Sequence, residues 1–559
     1  MPFDITIVIT AHREGRLAHR TVRSAVRSAE FARQRGAEVE MLAVLDRPDE
    51  ATEGYFASRR ALFSNVHLIQ AGDAGVSRNT GIRHAQGRFI CFLDADDLFS
   101  ENWVWEAFGA AREFGGAGAV VHPEYNLFFG RELACMRHRP STDARFSPFD
   151  LIQFNYWTAL GFAAKDLFER APYCLTSLGR GFGYEDWHWN CEALAVGAQH
   201  IVAPGTAHFI RRKTAGSLLT RTNHVGAVIR ASRLFDVAET ATEPASGPET
   251  SNQGGTASKK PRRSFSLYSW LRRRLGGRWR KLAKSALPVL ARYTQPALPG
   301  WLLAEWRAMD EIEPGIFATK KQRAWMVRES APESVAGRAY PAVGRAVADE
   351  PSHLLLISPQ AAAEWSTCVR PFVQAACEAA DAQVVCIATD CRLPTPAIDL
   401  PRQATLVELA KYAGTLTPAE QEILLTRLLL QKRPKTIHVI GSRLGFEVLS
   451  RRGGALSTFS RLYVSVQGDE RRNDGQPAGL GVEYLHRCVD YLTHIFANDP
   501  HHAERQIRQL ALDESQISAV PLPTGEQLME GPRLAEFLQR LSAMGYLGHE
   551  ARTPDDRAG

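Results

Sequence analysis

The chain has 559 residues but no run of about 18 or more apolar ones, so a helix long enough to span a bilayer core is excluded. Its nine cysteines, at 91, 135, 174, 191, 368, 377, 386, 391 and 488, form no Cys-x-x-Cys pair. No histidine–cysteine cluster has zinc spacing either, which argues against a structural zinc site and leaves free thiols, as in a reducing compartment. A basic leader is also missing. Met1-Pro2-Phe3-Asp4 places an acid ahead of the short apolar run Ile5–Thr10, so a secretory signal is not expected and the chain reads as cytoplasmic. No repeat of fixed short period occurs. Finally, Lys259 to Lys284 holds eleven Lys/Arg and no Asp or Glu. With a net charge of +6, the remainder is close to −5 (6 − 11), so the basic character is local.

What is present is ordinary for a folded chain: 45% hydrophobic and 23% charged residues. The length calls for more than one domain. Ile5–Thr10, Glu40–Leu45 and Arg88–Leu93 read as buried strands, and Leu17–Ala32 as a helix with apolar spacing opposite a basic face. This alternation predicts a parallel α/β sheet over residues 1–235. Residues 236–263 are rich in Thr, Ser, Gly, Pro and Glu and read as a disordered linker. A basic, helical connector spans 264–350. A second α/β pattern fills 351–525, with strands expected at His353–Ser358, Gln383–Ala388, Thr436–Ile440, Arg461–Val466, His494–Ala497 and Ile517–Val520. Residues 526–559 are left as a tail.

In parallel sheets, ligands bind beyond the carboxyl ends of the strands. The polar residues there are His12, Asp46, Asp73 and the cluster Asp94-Ala95-Asp96-Asp97. Two aspartates one residue apart suit a hard cation such as Mg²⁺ or Mn²⁺ shared with substrate phosphates. The bland alternative is an acidic turn with a helix cap at Ser100. Upstream, Gly72-Asp73-Ala74-Gly75-Val76-Ser77-Arg78-Asn79 offers small residues for close backbone approach and a cationic fork in Arg78. A glycine-rich turn entering a helix is the alternative there. Further on, Glu185 and Asp186 open an apparent helix, where carboxylates are electrostatically favoured in any case. Trp187 and Trp189 are candidate stacking surfaces or core residues.

These motifs, in this order, resemble family 2 glycosyltransferases, which have the GT-A fold. The resemblance covers residues 4–99 and rests on Ile5–Thr10, Asp46, Gly75-Val76-Ser77-Arg78-Asn79 and Asp94-Ala95-Asp96, with Glu185-Asp186 further along. It departs at Ala11-His12-Arg13 and at Leu45-Asp46-Arg47-Pro48-Asp49. The resemblance implies a nucleotide diphosphate sugar donor held by Thr10, His12, Asp46, Asp73, Arg78, Asp94, Ala95 and Arg211. It implies Mn²⁺ or Mg²⁺ on Asp96, with His208 as a further candidate ligand. Asp186 would act as the base, with Glu185 beside it, in an inverting transfer. The stretch His208 to Ser217 resembles the basic segment that folds over the diphosphate in many members.

Residues 353–525 resemble, more diffusely, the N-terminal lobe of a family 4 (GT-B) glycosyltransferase. The residues concerned are Ile437–Gly445, Tyr463–Val466, Thr493–Asn498 and Ile517–Pro521. Only 36 residues follow Pro523 (559 − 523), too few for a second donor-binding lobe, so an independent transferase is not expected there. The expected fold class is therefore α/β: a GT-A domain with a Rossmann-like mixed sheet, plus a Rossmann-like half of a GT-B fold. Phe265–Leu290 interleaves aromatic and basic residues. It reads as a helix lying on an anionic membrane face or packed on the protein; nucleic acid is not an expected partner. Taken together, the sequence predicts a transferase building bacterial surface polysaccharide or lipopolysaccharide on a glycan or lipid-linked acceptor. Two other readings remain: a non-catalytic glycan- or partner-binding scaffold, and a nucleotidyltransferase. The latter is disfavoured because no Gly-rich, basic loop follows the first strand.

Overall fold

The computed structural model describes residues 3–116, 118–213, 216–237, 297–324, 326–330, 332–358, 361, 368–378, 382–389, 400–466, 470–471, 477–498, 500–519 and 531–547. The basic aromatic stretch Phe265–Leu290 and most of the expected linker lie outside the described residues.

The first sheet begins with β1 (Phe3–Ala11), β2 (Val39–Asp46), β3 (Asn65–Ile69) and β4 (Gly87–Asp94). They run parallel in the order β3-β2-β1-β4. Both faces of β1 are buried, which explains its uninterrupted apolar run. Ile5, Ile7 and Ile9 face one core with α1 (Ala18–Arg33) and α4 (Trp103–Glu113). Val8 faces the other, with α3 (Ala74–His84), α5 (Lys165–Arg170) and α6 (Glu185–Ala195). α1 does form, but its buried face is built largely of Ala18, Thr21, Ser24, Ala25, Ser28 and Ala29. These small residues let it approach closely: Ser24 and Ser28 accept from the backbone N–H groups of Phe99 and Val104.

Beyond β4 the sheet turns mixed. β5 (Leu98–Phe99) pairs with β9 (Gln199–Arg212), which runs parallel to β6 (Ala119–Gly130). β7 (Ala134–Arg137) and β8 (Phe162–Ala164) are antiparallel to β6. A tenth strand, β10 (Val327–Ser330), joins β7 from far along the chain. Residues beyond 235 thus pair and pack with this sheet as well. Leu302, Trp306, Met309, Ile312 and Ile316 pack under β6 and β9 with Leu127, Phe129 and Phe209.

The second sheet is wholly parallel: β11 (His353–Ile357), β12 (Val384–Ala388), β13 (Ala404–Glu408), β14 (Thr436–Ile440), β15 (Arg461–Val466), then, after the short hairpin β16 (Glu470–Arg471) and β17 (Pro477–Ala478), β18 (His494–Ala497) and β19 (Ile517–Ala519). Its order is β13-β12-β11-β14-β15-β18-β19, a doubly wound arrangement whose direction reverses between β11 and β14. The last described helix, Gly531–Ala543, is not a loose tail. Phe537, Leu541 and Tyr546 close one face of this sheet against Phe372 and Tyr463.

The other face is continuous with the N-terminal unit. One apolar cluster contains Leu151, Tyr156, Phe182 and Phe235 together with Leu424, Leu428, Val448 and Leu456. Across this seam the buried Arg427 guanidinium donates to the carbonyls of Arg230, at 2.9 Å, and Ile229, at 3.2 Å.

Candidate active site

β1 and β4 are register partners at Thr10 and Asp94, so their carboxyl ends present these side chains together. Thr10 Oγ1 donates to Asp94 Oδ1 at 2.8 Å, and the Ala95 N–H donates to the Thr10 carbonyl at 2.9 Å. Ala95 itself is buried. Its role is to carry the chain between the two aspartates.

Arg78 is the hinge of the site. It is almost fully buried on α3; Nη2 reaches Asp94 at 3.1 Å and Nη1 pairs with Glu185. Its guanidinium lies 5.5 Å from the centre of the Tyr173 ring. Burial opposes its charge, but Asp94 and Glu185 outweigh that, and its pKa is raised. The structure thus brings together Arg78, the end of β4 and the start of α6.

Gly75-Val76-Ser77-Arg78-Asn79 is not a loop; it forms the first turns of α3, capped by Asp73 through the Val76 N–H at 3.1 Å. Gly75 is required there for packing. A Cβ would stand 2.1 Å from the Cys174 carbonyl oxygen. The backbone that approaches closely is this chain's own, and the sequence could not distinguish it from a ligand.

Asp46 and Asp73 act as fasteners. Asp46 is buried and accepts from the N–H groups of Gly72 and Asp73, at 2.8 and 2.9 Å, and from Ser77 Oγ at 3.1 Å. Asp73 also accepts from the Thr176 N–H and hydroxyl, at 2.7 and 2.5 Å, tying the segment before α6 to α3. His12 is exposed, with Nδ1 on the Asp46 carbonyl.

Asp186, on the first turn of α6, has burial and the adjacent Glu185 pushing its carboxyl up to about 7, against the pull of Arg78. Asn155 donates to its Oδ2 at 3.2 Å, and Asn190 holds Asn155 in turn at 3.1 Å. The residue before the pair, Tyr184, has φ +58°, a conformation costly for a bulky side chain. Trp189 is buried and donates to the Ala171 carbonyl at 2.7 Å. Trp187 donates to the Leu151 carbonyl at 2.9 Å and packs on the shared core. Trp189 is therefore a core residue, and Trp187 is half-buried at the edge of the core.

Asp96 faces Lys213, with Nζ to Oδ2 at 2.8 Å, and Lys213 also reaches Glu14 at 3.1 Å. Burial raises the Asp96 pKa, opposed by Lys213. Asp97 is buried, its pKa raised by burial and by Asp96, and accepts from the Arg211 N–H at 2.7 Å. Arg78 thus meets the cluster at Asp94, and Lys213 meets it at Asp96. The Arg211 side chain is instead committed to Glu313, at 2.5 Å, and to the Asp96 carbonyl at 3.2 Å. His208, the further candidate ligand, lies in the interior. Its ring is fully buried, 4.6 Å from Trp103 and 5.1 Å from Phe99, and burial drives its pKa well down. Strand alternation places it against α4 and β5.

Among the described residues no group of three or more His, Cys, Asp or Glu forms a metal cage. A cage of that kind is not what Mg²⁺ or Mn²⁺ beside phosphates requires; one or two carboxylates plus phosphate oxygens suffice. Asp94, with 37% of its side chain exposed, and Asp96, already facing a cationic ammonium, form such a hard-oxygen pair.

Sequence reasoning missed Lys213, Glu14, Asn155, Thr176 and Glu313. Lys213 lies in a basic run that was noted, and its neighbours there gave no reason to prefer it. The others carry no local signal.

Residues 6–163 match the model of glycosyl transferase family 2, so the N-terminal unit carries a glycosyltransferase domain with a GT-A-like sheet. No curated protein matches the chain. Among solved structures, S. aureus TarS 1-349 aligns at 13% identity and a TM-score of 0.28, covering 37% of this chain and 60% of that one. The same protein in complex with UDP-GlcNAc aligns at 12% identity and a TM-score of 0.29, covering 42% and 63%. GalNAc-T7 with UDP, GalNAc and Mn²⁺ aligns at 16% identity and a TM-score of 0.28, covering 38% and 44%. The chain spans less than two thirds of the length of these structures. No described helix is long and apolar enough to cross a membrane.

Proposed function

We propose that this protein transfers a sugar, with inversion, from a nucleotide diphosphate sugar to a hydroxyl of a glycan or lipid-linked acceptor. The observation that carries the reading is the Arg78 bridge. One guanidinium joins the end of β4 to the start of α6, so the donor-side aspartates and the Glu185–Asp186 pair share one site. Thr10, His12, Asp46, Asp73 and Ala95 line or brace the nucleotide side. Asp186, its pKa close to neutrality, takes the acceptor hydroxyl proton as that oxygen attacks the anomeric carbon. The bond to the diphosphate breaks and its electron pair leaves with the phosphate. Asp94 and Asp96 would hold a divalent cation, Mn²⁺ or Mg²⁺, which supplies charge stabilisation to that leaving group.

The wider setting belongs to the same proposal. Bacterial surface polysaccharide or lipopolysaccharide synthesis on the cytoplasmic side of the membrane fits such an acceptor, with Phe265–Leu290 as a peripheral contact. The parallel order of the second sheet supports the likeness to one lobe of a GT-B enzyme, in a role other than independent transfer. The test is mass spectrometry of products from the full chain with a panel of nucleotide sugars and a lipid-linked acceptor extract. A new glycosylated product, lost in Asp186→Asn, is expected. Undiminished product from Asp186→Asn, or from a variant lacking both Asp94 and Asp96, overturns the reading.

A further inference from the structure

Lys213 sits where its positive charge meets the carboxylate expected to hold a metal. It lies just beyond β9, and its ammonium contacts Asp96 at 2.8 Å and Glu14 at 3.1 Å. All three side chains are shielded, at 25% exposure for Lys213, 16% for Asp96 and 12% for Glu14, so solvent screens the contact weakly. The two preceding arginines are engaged elsewhere. Arg211 pairs with Glu313, and the Arg212 guanidinium lies 4.2 Å from the Phe128 ring centre. Of the three, Lys213 is the one whose charged group pairs directly with a carboxylate of the acidic cluster.

A divalent cation arriving alone at Asp94 and Asp96 would meet an ammonium already on the same carboxylate. Two cations share that space at low cost only when further negative charge arrives with them. We infer that Lys213 blocks divalent-cation binding at Asp96 in the donor-free protein. This rests on the proposal that Asp94 and Asp96 are the metal-holding pair. The consequence is linkage: the negative charge of a diphosphate makes room for both cations, so metal and donor bind each other's complex more tightly than either binds the protein alone.

The test needs no donor. Mn²⁺ binding to the full chain is followed by electron paramagnetic resonance of the free ion, in wild type, Lys213→Met, Lys213→Gln and Lys213→Arg. Both neutral variants are expected to bind one Mn²⁺ at least about tenfold more tightly than wild type, because a repelling charge is gone. Lys213→Arg should stay weak, since it keeps the charge. Asp96→Asn in the Lys213→Met background should abolish the gain. Equal affinity in wild type and both neutral variants, with Asp96→Asn weakening all of them, overturns the inference and leaves the metal pair standing. Binding that ignores Asp96→Asn, or no binding in any variant, overturns both.

Discussion

Arg78 on α3 and Glu185 at the start of α6 stand 107 positions apart in sequence and form a buried ion pair. The same guanidinium reaches Asp94, so a single side chain fixes the spacing between the two halves of the site. Arginine suits this because its fork can address two carboxylates at once, whereas lysine offers a point charge.

Arg78→Met would leave Glu185 buried without a counter-charge. Losing one partner of a buried pair costs about 3–5 kcal/mol, and the chemical denaturation midpoint should fall accordingly. Arg78→Lys should recover part of that stability but not turnover, because it cannot span both acids. Wild-type turnover in Arg78→Lys would contradict the bridging role.

Asp186 must be ionised to accept a proton. Its carboxyl sits near 7, so kcat/KM should fall as pH is lowered through that value. The stability effect has the opposite sign. A folded pKa above the ordinary carboxyl value means the native state favours the proton. That contribution is present below about 4 and is lost as pH rises through about 7. Asp186→Asn should therefore raise Tm at pH 8 by about one to two degrees, roughly what one or two kcal/mol gives in a chain of this length, and by much less at pH 5. Differential scanning calorimetry at both pH values checks this.

Asn155 donates to the Asp186 carboxylate, which favours the charged form. Asn155→Ala should move the acid limb of the rate profile upward, by roughly 0.5–1 unit for one neutral hydrogen bond. An unshifted limb in a folded variant would remove Asn155 from any part in setting the base.

Two glycine substitutions should act in opposite directions. Gly75→Ala places a Cβ 2.1 Å from the Cys174 carbonyl oxygen and should destabilise by about 2 kcal/mol or more. Gly109→Ala, inside α4 with nothing within 4 Å of the new atom, should stabilise by roughly 0.5–1 kcal/mol. Thermal melts of the two variants give the comparison.

The two sheets share one core, so a fragment ending near residue 350 would expose Leu151, Phe182 and Phe235 to water. Such a fragment should aggregate in size-exclusion chromatography. Arg427→Met in the full chain, which leaves two carbonyls without their donor, should cost about 1–3 kcal/mol.

Much of the strand framework was legible without coordinates. Thr436–Ile440, Arg461–Val466 and His494–Ala497 are observed with the expected bounds, and β1, β2 and β4 extend the expected runs by a residue or so at their ends. Strands buried on both faces announce themselves as continuous β-branched runs, a local property. β5 to β10 were not foreseen: β5, β7, β8 and β10 are short, and the long β6 and β9 carry Pro123, Pro204 and Gly205, with a register shift between Pro123 and Tyr125. For a related reason the sequence did not show that β10 pairs with β7 and that the helix Gly300–Met309 packs under β6 and β9.

By itself, then, the order of residues determined the strands buried on both faces, and that carboxylates cluster at a strand end and again at Glu185–Asp186. Those are consequences of local periodicity and chemistry, readable one turn or one strand at a time. Tertiary structure alone decided that Lys213 faces Asp96, that Arg211 pairs with Glu313, that His208 is buried, that Asn155 holds Asp186, and that the second sheet shares the first one's core. Each of these depends on side-chain direction across elements far apart in sequence, which no local pattern encodes.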